Sequence, residues 1–210
     1  MNKVLDKLNW RYATKKFDRS KKISESNFKI LLEAARLTAS SYGLQPYHIF
    51  AISDEDIKLK LNKASFNQPQ IIDASHIIVI ANKATFDDNL VDDYIDNIIN
   101  TRGVSKKDLE GFSQMMKSSL LNLPDSQKNG WTTNQAYIVL GNLITIAAEM
   151  NIDTCPMEGF NKMQYNEILG LNEKNLNAAV VLAVGYRSED DTTQNYPKVR
   201  YSTEELITQL

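Results

Sequence analysis

The sequence predicts an α+β chain or a three-layer α/β chain, with a mixed central sheet flanked by helices. Three observations carry this. Residues 75–81 (SHIIVIA) and 177–186 (NAAVVLAVGY) are apolar almost throughout, as strands buried on both faces are. The segments around them repeat apolar residues at helical spacing. The two kinds of segment interleave irregularly, which argues against a regular succession of βαβ units.

The elements follow in order. Residues 1–18 are charged throughout and lack an apolar core, and within them WRYATKKF (residues 10–17) alternates like an extended segment. Residues 25–39 read as a helix, with Phe28, Leu31, Leu32 and Ala35 on one face and Ser24 as its N-cap. Ser, Gly and Pro mark residues 40–46 as a loop, and residues 47–52 read as a strand. Residues 54–64 form a short helix, and the first buried strand follows. Residues 87–121 are polar, loosely periodic and broken at Gly103 and Gly111, so they read as two helices outside the core. Asp125, after Pro124, is read as the cap of a long helix running to Met150. Its second half is apolar nearly all round, which places it centrally or at a subunit interface. Residues 161–169 make another helix, with Gly170 just past its end. After the second buried strand, residues 188–210 are polar with a weak apolar rhythm. There is no repeat and no clean linker, so residues 1–210 are read as one domain.

Composition excludes several classes. The 210 residues carry 24 Lys+Arg against 26 Asp+Glu, and a net charge of −2 argues against a general nucleic-acid binder. The longest apolar-rich stretch, residues 136–150, is broken by Gly141, Asn142 and Thr145 and is too short to span a bilayer. One cysteine and the lack of a signal peptide point to the cytoplasm. His48 and His76 sit apart at the edges of strand-like runs and read as structural, with no metal site. Cys155 has no histidine near it in sequence. The phosphate-loop, nucleophile-elbow and dinucleotide fingerprints are absent. An enzyme with so few nucleophiles would borrow its reactivity from a cofactor.

Both ends of the chain are basic. The first 22 residues hold eight cations and two aspartates. Most of these suit a solvated face. Arg11 lies between Trp10 and Tyr12 and reads as a cation framed by aromatics. Its planar fork matches phosphate oxygens, and Lys15 adds a mobile point charge. In YPKVRY, Lys198 and Arg200 are two residues apart and share a face of an extended chain. The two basic elements either clamp one phosphate or are separate solvated faces. In DTCPMEGF (residues 153–160), Pro156 fixes the backbone and Gly159 permits close approach of a ligand. The alternative there is an ordinary strand-to-helix turn.

Taken in order, these segments resemble the flavin-dependent nitroreductase family, in particular its oxygen-insensitive NAD(P)H nitroreductase and dihydropteridine reductase-like branch. The matching segments are RYATKKFD, SSYGLQPYHIF, FNQPQIIDASHIIVIA, PMEGF and PKVR, spread over residues 11–200. The resemblance implies a homodimer with one FMN at each of two interfacial sites, NAD(P)H as cosubstrate, and a C-terminal extension reaching over the partner. By the same resemblance Arg11, Lys198 and Arg200 match phosphate ligands, within a segment that includes Tyr12 and Ala13. Lys15 matches a lysine at the ribityl chain and pyrimidine edge, and Asn67 a hydrogen-bonding partner of the pyrimidine ring. Glu158 and Gly159 match the turn whose backbone N–H groups approach N5 and O4. Pro156 and Met157 pack along the ring. Ser40 and Ser41 come from the partner. Phe66 borders the substrate face, and Phe112, Met115 and Met116 are read as a tolerant apolar lid. The chain departs from the family pattern at Ala13, where Ser is common, at Gln70, where Lys is common, and at Tyr42 and Gly43. The implied activity is two-electron, ping-pong reduction of nitroaromatics, quinones or related planar acceptors, with hydride carried by the flavin and no catalytic side chain. The alternatives are a specialised relative, such as a dihydropteridine reductase, and a non-catalytic flavin-binding protein.

Overall fold

The computed structural model describes residues 2–210. Helix α1 (Lys3–Trp10) opens at Asn2, whose side chain accepts from the Val4 N–H. It stands where the sequence suggested no regular element, and none of its residues is buried. Helix α2 (Glu25–Arg36) is capped by Ser24, which accepts from the Asn27 N–H. Strand β1 (Tyr47–Ile52) leads to α3 (Glu55–Ala64), capped by Asp54. A short α4 (Pro69–Asp73) precedes β2 (His76–Lys83). Helices α5 (Asn89–Arg102) and α6 (Glu110–Leu120) form the excursion expected over residues 87–121. The long α7 (Asp125–Glu149) follows. Asp125 is its first helical residue; Pro124 holds the cap position, and no side chain caps there. Then come β3 (Asp153–Met157), α8 (Lys162–Leu169), β4 (Leu176–Gly185) and a terminal turn of helix, α9 (Thr203–Leu206).

The sheet order is β1-β2-β4-β3, and all three pairings are antiparallel. The parallel component of the expected mixed sheet is confined to a single bridge, Ala13 with Thr154, on the outer edge of β3. Strand β3 itself is a correction, because its residues were read as part of a turn. Pro156 is tolerated because this is an edge strand.

The central strands sort their side chains by the period of two. Ile77, Val79 and Ala81 face one layer, with Leu61 of α3, Ile71 of α4 and Tyr165 of α8. Ile78, Ile80, Leu182 and Val184 face the other, with Leu31 of α2 and Val139, Leu143 and Ala147 of α7. Helices therefore cover both faces, giving three layers. Each fully buried aliphatic side chain contributes about 1.5–3 kcal/mol of transfer free energy. A third cluster lies apart, between α5 and α6, around Val91, Ile95 and Met116. Opposite its core-facing stripe, α7 exposes Tyr137 and Ile138. The N-terminal segment returns to the sheet at Phe17, which bridges Arg187. Gly185 permits this, since a Cβ there would come within 2.9 Å of the Phe17 ring. Among the described residues no helix is long and apolar enough to cross a membrane.

Candidate functional site

The two basic ends meet. Arg11 follows α1 in extended conformation (φ −72°, ψ 145°). Lys198 reaches back and donates to the Arg11 carbonyl. Trp10, Arg11, Tyr12, Lys198 and Arg200 line one cleft of about 340 Å³. The ion pairs among the described residues involve none of these three cations. Burial, and then the charge of Arg200, hold the Arg11 guanidinium below its usual range. Burial, and then Arg11 and Arg200, do the same for the Lys198 ammonium. Like charges are thus brought together without a carboxylate between them, an arrangement that an anion relieves.

Trp10 and Tyr12 do not frame Arg11, as the sequence suggested. They frame Arg187, whose guanidinium lies 4.2 Å from the Trp10 ring centroid and 4.6 Å from that of Tyr12. Arg187 also pairs with the buried Asp153 at 2.6 Å. The aromatics are spent on a structural cation, which leaves Arg11 facing the cleft. Tyr12 donates its hydroxyl to Asp191 at 2.9 Å. Burial, reinforced by that bond, raises the Tyr12 pKa strongly.

A second group stands at the far end of β3. Phe66 and Asn67 both adopt positive φ (55° and 57°), a tight loop after α3. Asn62 donates to the Gln68 carbonyl at 2.7 Å, and Gln68 Nε2 donates to the Gly159 carbonyl at 2.7 Å. A Cβ on Gly159 would sit 3.3 Å from that amide, so the glycine is what lets loop and turn close up. Tyr137 of α7 donates to Glu158 Oε1 at 2.6 Å. Burial and this bond push the Tyr137 hydroxyl up to about 12. Pro156 faces out. Met157 is a correction, since its side chain points into the core under the sheet and only its backbone can border a ligand. Gln70 is buried, and its Oε1 has no hydrogen-bond partner.

The Ala13–Thr154 bridge, with Thr14 N–H donating to the Thr154 carbonyl at 3.1 Å, aligns the two groups along one sheet edge. From Thr154 to Glu158 is four residues of strand, roughly 13 Å. Lys15 is exposed between them, close enough for its charge to be felt at Cys155. Ser40 and Ser41 are not brought to this edge. Ser40 Oγ accepts from the Gln45 N–H, and the Ser41 N–H donates to Gln135 of α7. Phe66 is 70% exposed. Phe112 packs against the third cluster instead. Met116 cannot be part of a lid, being fully buried there, whereas Met115 is exposed.

His76 stacks on Phe28 at 3.8 Å and shares a 3.0 Å hydrogen bond with Ser75. No cluster of three metal-binding side chains occurs among the described residues. Asp191, Arg187, Tyr137 and Gln68 were not marked by the sequence. Nothing in the local sequence sets any of them apart, and only contact across more than twenty residues reveals its part.

Fold and cleft together define a three-layer α+β protein whose two chain ends meet in a cationic cleft. The chain belongs to the nitroreductase family, whose sequence profile matches residues 8–186. A Staphylococcus saprophyticus protein provisionally named as an NAD(P)H nitroreductase is 34% identical, covering 97% of this chain and 95% of the relative. The major NAD(P)H-flavin oxidoreductase of Aliivibrio fischeri is 33% identical, covering 98% and 97%. The fold is also that of a nitroreductase-like protein from Exiguobacterium sibiricum, solved in complex with FMN, at a TM-score of 0.85 and 21% identity over 100% of this chain and 98% of that one.

Proposed function

We infer that the protein is an FMN-dependent oxidoreductase that uses NAD(P)H to reduce nitroaromatics, quinones or related planar acceptors. The observation that carries this is the convergence of Arg11, Lys198 and Arg200 on one cleft with no acidic partner. Among the described residues the buried side-chain polar atoms without a partner are Arg11 Nε, Thr14 Oγ1 and Gln70 Oε1. Of these, Arg11 lines the cationic cleft. Leaving it unpaired costs about 1–3 kcal/mol, so a bound anion that pairs with it is favoured. The donor set suits FMN, with its phosphate at one end of the β3 edge and a polar ring edge towards the other. The relatives named for NAD(P)H and flavin support the same reading.

Bound FMN supplies two-electron transfer from NAD(P)H to a second substrate. The chain's own residues bind and orient. Arg11, Lys198 and Arg200 neutralise phosphate. Lys15, Gln70 and Asn67 would hold the flavin's pyrimidine edge. Glu158 and Gly159 fix the ring through a turn that Tyr137 and Gln68 hold in place. Phe66 gives planar substrates an aromatic wall. No side chain acts as nucleophile. One binding face serves both substrates in turn, which makes the kinetics ping-pong.

The reading takes residues 1–210 as one functional unit, because the site draws on both ends of the chain. It includes a homodimer in the cytoplasm. The face of α7 that exposes Tyr137 and Ile138, and the apolar residues Val199, Tyr201, Leu206 and Ile207 of the tail, are the surfaces it would cover. Ser40 and Ser41 would then reach the partner's site. The test is purification followed by steady-state assay. A yellow dimer with one FMN per chain and parallel initial-rate lines for NAD(P)H against a quinone is the expected result. A colourless protein that cannot be loaded with FMN would overturn the reading.

A further inference from the structure

Asp191 lies beyond the segment matched by the family profile, in a tail that reads as plain polar sequence. It is nonetheless 2% exposed. Its Oδ2 accepts from Tyr12 Oη at 2.9 Å, from the Lys15 N–H at 2.8 Å and from the Lys16 N–H at 3.0 Å. Its Oδ1 accepts from the Thr193 N–H at 3.1 Å. One carboxylate therefore fastens the N-terminal segment to the start of the C-terminal tail. Two of its partners, Tyr12 and Thr193, line the cationic cleft. Burial works against the charged form, and the hydrogen bonds outweigh it, so the carboxyl stays below its usual range.

We propose that Asp191 is a positioning residue for phosphate recognition: it locks the two chain ends together so that Arg11, Lys198 and Arg200 converge on one anion. This rests on the FMN reading. Position and charge predict opposite signs. If Asp191 acted only as a nearby charge, its removal would tighten anion binding, because a carboxylate repels a phosphate. If it sets geometry, removal loosens phosphate binding. An asparagine substitutes only in part: with its single oxygen turned to Tyr12, Lys15 and Lys16 it loses the charge that strengthens those bonds, and its amide nitrogen meets the Thr193 N–H, another donor.

The experiment titrates flavin-free protein, wild type and Asp191→Asn, with FMN and with riboflavin, which lacks the phosphate. The FMN-to-riboflavin affinity ratio should fall about tenfold in Asp191→Asn, the scale of one lost charge-assisted bond. Riboflavin affinity should stay near the wild-type value. An unchanged or raised ratio, or equal loss of both ligands, would overturn the proposal, because a general structural defect weakens both alike. Should Asp191→Asn not fold, Tyr12→Phe removes one donor to the same carboxylate. It should lower the ratio by roughly twofold to fivefold, and an unchanged ratio there would equally overturn the proposal. Wild-type protein with no preference for FMN would instead sink the FMN reading itself.

Discussion

Lys58 and Arg11 are both cations drawn away from water, and they are treated in opposite ways. The Lys58 side chain is fully buried, yet it donates to Glu55 at 3.1 Å and to the Ala74 carbonyl at 2.9 Å. Arg11 keeps a buried Nε without a partner and has Arg200 as its electrostatic neighbour. The same contrast separates the sheet from the cleft. On β2 the buried Asn82 amide donates to Asn129, Thr132 and the Lys83 carbonyl. A structural polar group brings its partners with it. Arg11, on the proposed reading, leaves its pairing to a ligand, so the fold tolerates a local cost there.

Substitutions in the two regions should therefore fail differently. The largest effect belongs to the core. Leu182→Ala, at a fully buried position between α7 and the sheet, should cost about 2–5 kcal/mol in denaturant unfolding of the flavin-free protein. Arg200→Ala should leave that stability unchanged and weaken FMN roughly tenfold to a hundredfold, as lost charge-assisted bonding to phosphate does. Lys22→Ala is the control. Lys22 is a half-exposed lysine 4.0 Å from Glu55, and its loss should leave the FMN dissociation constant alone. Equal constants for the two variants would erase the distinction between the regions.

Smaller effects sharpen it. On the proposed reading, Gln70→Lys would place a cation beside the pyrimidine edge. At about 4 Å and an effective dielectric of 20 the Coulomb energy is about 4 kcal/mol. Burying the lysine at this 7%-exposed position should leave about 1 kcal/mol, which raises the flavin midpoint by roughly 20 mV. A midpoint that stays or falls, with FMN stoichiometry intact, would turn Gln70 away from the flavin. The smallest expected effect is at His76. Burial, then the charges of Lys58 and Lys22, lower its pKa in the folded protein. The unfolded chain takes up that proton first as pH falls below about 6.5, so acid favours unfolding. His76→Gln should flatten the loss of stability between pH 7 and pH 5. A slope equal to wild type would show that His76 does not contribute to it.

Much of the fold was legible because burial leaves a period. The run in β2, the apolar spacing of α2 with its Ser24 cap, and Gly170 at φ 61° closing α8 follow from local rules. Helix α1 was missed although Val4, Leu5 and Leu8 recur at helical spacing; its eight residues sit in a charged segment and bury none of their side chains within the chain. Strand β3 was hidden by Pro156 and Gly159, turn-formers that an edge strand and its exit tolerate. The segments proposed to form the site were marked by the family resemblance, and their cations by composition. The aromatic frame went to the wrong arginine, because Arg187 is distant in sequence and only the fold stacks it on Trp10 and Tyr12. The inward side of Met157 could be read only once β3 was recognised as a strand.

On the proposed reading, the cleft between the chain ends holds the phosphate of FMN. Phosphorus-31 NMR of the FMN-loaded protein reads that phosphate directly. A free phosphomonoester takes up its second proton near pH 6. Held by Arg11, Lys198 and Arg200, it should stay dianionic from pH 8 to pH 5, with a resonance that barely moves, and Arg200→Ala should restore part of the titration. A bound phosphate that titrates near pH 6 in the wild type, as it does in free FMN, would contradict the assignment.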